Sequence, residues 1–378
     1  MKVVVAADKF KDSLNSFEVC EAVSRGFSKS SGNFEIFKMP LSDGGDGLIE
    51  VIRHYISVTK HEFLVSDPLF RPIKASVLLS EDRKTAFMEM AQASGLHLLK
   101  PSEYNCAVTS SFGTGQLIAE ALKLGVEKII IGVGGSATND CGIGMAAAVG
   151  YRFLNKDGKD IKPIGENLIN IDSIDSSEKI PLSNLCIEVA CDVINPLTGE
   201  NGASRVYAPQ KGADRQLVEE LERGMIHFSE VLKRDLGTDI SSVPGAGAAG
   251  GMGAGCMAFL NAKLISGSEL VFQYSEAEKH IKDADIVITA EGKIDKQTLE
   301  GKLISEISGL CLKYNKPLIA ICGSLDLTCE ELKKLKVLSA FSIVNRPMLL
   351  EEAIEKASEL VSETAFNIAQ VLGSNYNK

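Results

Sequence analysis

The run Gly134-Gly135-Ser136-Ala137-Thr138-Asn139-Asp140-Cys141-Gly142 gathers glycines, hydroxyls, an amide and a carboxylate at one junction. Before it lies an apolar segment, Lys128 to Val133, and after it a small-residue helical segment, Ile143 to Val149. Glycines let a ligand approach the backbone, a helix start offers N–H groups to an anion, and Asp140 can hold an accompanying cation. That combination suits a metal-bound phosphate. A turn before a tightly packed helix needs the same glycines, so the run alone leaves both readings open.

Similar junctions recur along the chain. Ser42-Asp43-Gly44-Gly45-Asp46-Gly47 joins a strand, Phe34 to Met39, to a helix, Leu48 to Tyr55. Its two carboxylates, three residues apart, can coordinate one hard cation or serve as turn and helix cap. Asp8-Lys9-Phe10-Lys11-Asp12-Ser13 offers lysines to a carboxylate or phosphate, or forms a solvated, capped turn. Asp192 directly follows an apolar strand, where α/β sheets bind ligands, and is a candidate base or metal ligand; an Asx turn toward Pro196 is the alternative. Glu291 and Asp295 flank Gly292 after another strand and can hold Mg²⁺ or position a hydroxyl. Gln210-Lys211-Gly212 and Thr109 to Gly115 add donors of the kind that cradle phosphates. Clustered strand-end acids are costly unless a metal or proton joins them, which favours function over decoration.

The elements that must position these groups alternate between short β-rich runs and helical patterns, as in parallel sheets covered by helices. The strand candidates are Lys2 to Ala7, Phe34 to Met39, Lys128 to Val133, Leu185 to Cys191, Asp285 to Thr289, Pro317 to Cys322 and Val337 to Val344. Leu217, Leu221, Met225, Phe228, Leu232 and Leu236 mark the buried stripe of one helix, and Leu349 to Leu372 reads as a last helix. Pro244 to Gly255 reads as a glycine-rich loop entering a closely packed helix. Two strands before Pro68 are too few for a stable open sheet, so the two chain ends share one domain. The boundaries are then 1–66 plus 280–378 for a discontinuous domain and 67–279 for an inserted α/β domain.

Composition narrows the class. The chain has 378 residues, 45% hydrophobic and 24% charged, with a net charge of -10 that argues against a nucleic-acid surface. The N-terminus meets an acid, Asp8, too early for a signal-peptide core, and no apolar run reaches membrane-spanning length, so the expectation is a cytoplasmic protein. Nine cysteines without a C-x-x-C pair read as reduced thiols, and five histidines lack ligand spacing. A P-loop, the protein-kinase motif set and a G-x-G-x-x-G after the first strand are all absent. The residues by themselves reach an α/β enzyme with a metal-phosphate site.

A resemblance carries the reading further. Asp8 to Leu14, Ser42 to Gly47, Glu89 to Leu96, Ser111 to Gly115, Gly134 to Gly142, Ala190 to Asp192 through Ala213, Pro244 to Gly255 and Glu291 to Asp295 occur in the order found in bacterial glycerate kinases, which the chain resembles over its whole length. The resemblance implies a Rossmann-like or flavodoxin-like discontinuous domain holding the inserted one, with the active site in the interdomain cleft. It also implies Mg²⁺-dependent transfer of the ATP γ-phosphoryl group to D-glycerate, giving 2-phosphoglycerate. The departures are Lys9 and Asp12 where serine and glycine are expected, Phe112 for tyrosine, Cys141 for glycine and Lys293 for arginine. Phe112 weakens any mechanism that needs a phenolic hydroxyl at that position.

On this reading Asp192 orients or deprotonates the acceptor hydroxyl, with Asp43 and Asp295 as alternatives. Mg²⁺ falls to some of Asp43, Asp46, Asp140 and Glu291. Gly134, Gly135, Ser136, Ala137, Thr138 and Asn139 face the ATP phosphates. Lys11, Arg71 and Lys211 are candidates for the glycerate carboxylate or the transferring phosphate, and Ser42, Gly44 and Gly45 for the acceptor pocket. A 3-phosphoglycerate product, a phosphatase or mutase acting on a phosphorylated three-carbon acid, and a non-catalytic metabolite-binding protein remain the alternatives.

Overall fold

The computed structural model describes residues 1–42, 47–182, 185–300 and 303–374. Among these, short apolar runs become thirteen strands: β1 (Lys2–Ala7), β2 (Glu35–Pro40), β3 (Val58–Ser66), β4 (Pro72–Ser80), β5 (Thr85–Glu89), β6 (Lys128–Gly132), β7 (Arg152–Leu154), β8 (Ser173–Asp175), β9 (Cys186–Ala190), β10 (Lys263–Ile265), β11 (Ile286–Ile294), β12 (Leu318–Leu325) and β13 (Ser339–Ser342). The chain divides into two compact units, residues 1–43 with 268–378, and residues 44–267.

The first unit holds a five-stranded parallel sheet in the order β13-β12-β11-β1-β2. Helix Ser16–Ser28 begins with a reciprocal capping box, in which Asn15 accepts from the Glu18 N–H and Glu18 from the Asn15 N–H, both at 2.9 Å. Its buried face, with Val19, Val23 and Phe27, packs with Leu360, Val361 and Ala365 of helix Ala357–Ser374 over Val3, Val5, Ile286 and Ile288. The opposite face of the sheet is covered through Ile304 and Leu335 against Ile294, Ala320 and Cys322. The chain runs from β1 to β2 on one side and resumes at β11 on the other. Numbered within this unit the order is 2-1-3-4-5, the flavodoxin-like winding, and its direction reverses between β1 and β11.

The second unit is built on a six-stranded sheet, β10-β9-β6-β5-β4-β3, with β7 and β8 as a separate pair. β10, β9, β6 and β5 are parallel, whereas β4 pairs antiparallel with both β5 and the edge strand β3. Helix Arg215–Leu236 is capped by Asp214, which accepts from the Leu217 N–H at 2.8 Å, and it buries Leu221, Met225, Phe228 and Leu232. Met225, Phe228 and Leu232 join Ile129, Ile131, Ile187 and Val189 in one core, and Leu221 packs with Cys106 and Ala208 in a second, smaller one. Each such side chain contributes roughly 1.5–3 kcal/mol when fully buried.

The structure draws the unit boundaries earlier than 66/67 and 279/280. β3 pairs along its whole length with β4, so residues 58–66 belong to the second unit. Helix Ala277–Asp283 packs on helix Leu303–Lys313 and β1, so it belongs to the first. The expected terminal helix is two, Leu350–Glu355 and Ala357–Ser374. In the glycine-rich segment, Ala249, Gly250 and Gly251 have left-handed backbone and the regular helix follows them.

Candidate active site

In the second unit the parallel register aligns Glu89 of β5 with Gly132 of β6, Gly132 with Ala190 of β9, and Ala190 with Ile265 of β10. The carboxyl edge therefore presents Glu89, the loop after Gly132, Asp192 and Ser266 side by side. With neighbouring strands roughly 5 Å apart, β5 and β9 lie about 10 Å apart with the glycine loop between them. Asp192 is exposed, and its Oδ1 accepts from Ser266 Oγ at 2.8 Å and the Gly267 N–H at 3.0 Å. Two donors thus hold the carboxylate of an exposed residue. Glu89, half-buried, accepts from the Ile49 N–H at 3.2 Å, in the first turn of helix Leu48–Tyr55. The sequence reading named Glu89 only as the start of the block Glu89 to Leu96 and gave it no role, although it ends the apolar run Ala86-Phe87-Met88 as Asp192 ends its own strand.

The glycine loop has an outer and an inner half. Gly134 and Gly135 are accessible, whereas Ser136 through Asp140 are buried. Asp140 Oδ2 accepts from the Ser111 N–H and Oγ, both at 2.8 Å, and from the Gly144 N–H at 3.3 Å, while Oδ1 accepts from the Gly142 N–H at 3.1 Å. Burial pushes this carboxyl up, opposed by those four donors. Asp140, expected as a metal ligand, is engaged as a clamp that takes N–H groups at the start of helix Ile143–Ala148.

Lys211 locks the inner half. It is 2% exposed, and its Nζ donates to Ser136 Oγ and the Thr138 carbonyl, both at 2.8 Å. Burial pushes its ammonium down to about 8, against the opposing pull of Cys106 and Asp140. Gly250, at φ +72°, closes the loop from below, since a Cβ there would lie 2.0 Å from the Thr138 carbonyl oxygen. Asn139 Nδ2 donates to Ser204 Oγ at 3.1 Å, and Thr109 Oγ1 donates to the Ala137 carbonyl at 2.8 Å. Thr138 Oγ1 and Asn139 Oδ1 are buried without a hydrogen-bond partner among the described residues. The six residues expected to face phosphate are therefore not equivalent: Gly134 and Gly135 are accessible, and Ser136, Ala137, Thr138 and Asn139 are buried.

Arg71 serves a turn. Its Nε donates to Asp67 Oδ2 at 2.5 Å and its Nη1 to Glu103 Oε1 at 2.8 Å, while Asp67 Oδ1 accepts from the Leu69 and Arg71 N–H groups at 2.8 Å. Two carboxylates raise its guanidinium pKa and occupy it. Among the described residues, no group of three or more His, Cys, Asp or Glu is placed to hold a metal ion. Asp43, Gly44, Gly45 and Asp46 lie outside the described residues.

In the first unit the carboxyl edge of β1 and β11 holds Asp8, Lys11, Glu291 and Asp295. Asp8 is buried and accepts from the Lys9 N–H at 2.7 Å. Asp295 pairs with Lys293 at 3.1 Å and is mostly buried, Glu291 is half-buried, and Lys11 is exposed. Ser42 is buried after β2. Lys11, Ser42, Glu291 and Asp295 thus share one unit, and Arg71, the glycine loop, Asp192 and Lys211 share the other. Asp12 and Cys141, which stand where glycine is expected, both have left-handed backbone, with φ of 60° and 52°. Glycine suits those positions because it carries no Cβ to clash, and aspartate is one of the few residues that tolerates them.

The model of the glycerate kinase family matches residues 3–373. A glycerate kinase of Halalkalibacterium halodurans is 45% identical over 377 residues, covering 100% of this chain and 99% of its own. The glycerate 2-kinase of Escherichia coli is 42% identical, with 98% of each chain covered. A crystal structure of a protein assigned as glycerate kinase 2 from Salmonella typhimurium superposes with a TM-score of 0.84 at 41% identity, over 100% of both chains.

Proposed function

We propose that this chain, which belongs to the glycerate kinase family and is a kinase, transfers the γ-phosphoryl group of ATP to D-glycerate with Mg²⁺, giving 2-phosphoglycerate and ADP. The observation that carries the site assignment is Asp192, an exposed carboxylate fixed by Ser266 and Gly267, one strand from the accessible Gly134-Gly135 turn.

The reaction forms a bond from the glycerate hydroxyl oxygen to the γ-phosphorus and breaks the bond from that phosphorus to the ADP oxygen. Asp192 accepts the hydroxyl proton as the new bond forms. Phosphoryl transfer needs little covalent help, so placing the two oxygens in line and offsetting phosphate charge dominate. Gly134 and Gly135 let phosphate oxygens approach the main chain, and Lys211 and Asp140 keep that turn from collapsing.

Mg²⁺ in such sites is held by one or two carboxylates together with phosphate oxygens and water, rather than by a full protein cage. The residues fit that pattern: among those described there is no three-ligand cluster, while the half-buried Glu89 stands two strands from Asp192. We assign Glu89 to the ion, whose chemistry is to offset phosphate charge. Asp140 is engaged by its four donors.

Coupled measurement of ADP release tests the reading. Release that needs both D-glycerate and Mg²⁺ supports it, and release indifferent to D-glycerate rejects it.

A further inference from the structure

The edge strand of the second unit's sheet, β3, is nine residues long and has a strand on one side only. It pairs with β4 from Val58↔Ser80 to Ser66↔Pro72 without a bulge. Three hydrogen bonds fix which way each main-chain group turns. The Asp67 N–H donates to the Arg71 carbonyl at 2.7 Å, so by alternation Val65, Phe63, His61 and Thr59 turn their main-chain groups toward β4. The Ser66 N–H donates away from β4, to Gln116 Oε1 at 2.8 Å. Opposite Glu62, the Ser76 N–H of β4 likewise donates away from β3, to Gln92 Oε1 at 2.9 Å. Lys60, Glu62 and Leu64 therefore turn their N–H and C=O groups to the outer edge, beyond which the described residues place no strand.

An open strand edge is a template for pairing, and proteins blunt such edges with proline, bulges, shortness or charge. β3 has neither proline nor bulge and is not short. Its outer residues Val58, Lys60, Glu62 and Leu64 share one face and run apolar, cation, anion, apolar. Lys60 and Glu62 are exposed and pair at 2.8 Å, and Leu64 is 73% exposed.

We propose that β3 is the two-fold interface of a homodimer, in which a second copy of this chain adds its own β3 antiparallel and continues the sheet. Charge selects both the occupant and the register. Antiparallel edges bond only where both residues turn outward, so Lys60, Glu62 and Leu64 must face outward residues of the second copy, and the axis passes through a residue. An axis at Lys60 or at Glu62 sets that charge against itself, which is destabilising. An axis at Thr59 or Phe63 sets a charge opposite Val58 or Leu64. An axis at His61 places Lys60 opposite Glu62 of the second copy, Glu62 opposite its Lys60, and Val58 opposite its Leu64. The strand is self-complementary in that register, as a two-fold interface requires. The inference does not depend on the reaction assigned above.

The test is sedimentation equilibrium of the full chain over about 1–100 µM, where a monomer–dimer equilibrium is expected. Lys60→Glu and Glu62→Lys each set like charges across the interface and are expected to weaken association about ten-fold or more. An equimolar mixture of the two variants restores opposite charges at both pairs and is expected to recover wild-type affinity within about three-fold. That recovery also guards against misfolding of either variant. His61→Cys gives a second readout, because position 61 meets its own copy with Cα atoms about 4.5 Å apart, within the usual disulfide range of about 4.4–6.8 Å. With diamide as the oxidant, peptide mapping is expected to find the two introduced thiols joined, and Leu64→Cys is expected to give no such crosslink. A wild-type chain that stays monomeric over the whole range overturns the proposal. So does a dimer that both charge exchanges leave unchanged, a mixture that fails to recover association, or a crosslink at position 64 in place of 61.

Discussion

At the carboxyl edge of β5, β6 and β9 the polar groups are largely spent on one another, whereas the edge of β1, β11 and β12 opens into a cavity with an apolar wall. Both edges are made by parallel strands, and both lead into glycine-containing turns. In the second unit the turn is fixed by a buried carboxylate and a buried ammonium, Asp140 and Lys211, while Gly134, Gly135 and Asp192 are accessible and Glu89 is half-buried. In the first unit the wall is made of Phe10, Ile343, Val344 and Met348, with charge confined to the β1 turn. The contrast teaches that one topological device can provide either a polar surface fixed by buried charged groups or an apolar slot, depending on the residues into which each strand runs.

The sharpest way to break this contrast is at Asp192. Asp192→Asn keeps the hydrogen bonds from Ser266 and Gly267 within reach of the remaining oxygen but cannot accept the proton. The expected fall in kcat is about 10²–10⁴-fold. Near-normal turnover in a folded variant would remove the acid-base task from this edge.

Asp140→Ala comes next, because it leaves the donors of Ser111, Gly142 and Gly144 unpaired in the interior. A loss of about 3 kcal/mol is expected in urea unfolding. A loss of activity with full stability would instead return Asp140 to the metal.

Lys211 gives a smaller, pH-resolved effect. Its folded pKa lies below its unfolded one, so the unfolded chain binds the proton more readily between about 8 and 10.5. The cost of burying its charge is therefore fully present below about 8 and is relieved as pH rises toward 10.5. Unfolding of wild type and Lys211→Met at about pH 7.5 and about pH 9.5 should show the wild type gaining on the variant at the higher pH. A constant difference would show that the ammonium is not buried as described.

The smallest effect belongs to the first unit. Asp12→Gly relieves a left-handed aspartate at an exposed turn but adds freedom to the unfolded chain, so stability should change by less than about 1 kcal/mol. A loss of several kcal/mol, read as the unfolding midpoint, would mean that the Asp12 side chain itself holds the β1 turn.

The strand β1, the stripe of helix Arg215–Leu236 and the glycine loop were legible because each rests on local pattern: an apolar run, a helical period, a glycine turn after a strand. β3 was not, since Val58-Thr59-Lys60-His61-Glu62 mixes charged and apolar residues in a stretch that is exposed or half-buried, and pairing with β4 defines it. That omission shifted the domain boundary to Ser66. Asp140 read as a metal ligand because the donors that engage it come from Ser111, far away in sequence, as well as from Gly142 and Gly144. Arg71 read as a substrate cation for the same reason, Glu103 being a distant partner. Glu89 carried the same signal as Asp192, an acid ending an apolar run, and was within reach of the sequence. Two substitutions away from glycine, Asp12 and Cys141, fall at left-handed positions, a constraint visible only in backbone angles.

The most direct test is ³¹P NMR of the purified chain with D-glycerate, ATP and Mg²⁺, alongside controls lacking metal or acceptor. ADP and 2-phosphoglycerate resonances are expected to grow together and only in the complete mixture. ADP without a phosphoglycerate, or 3-phosphoglycerate in its place, would contradict the proposed reaction.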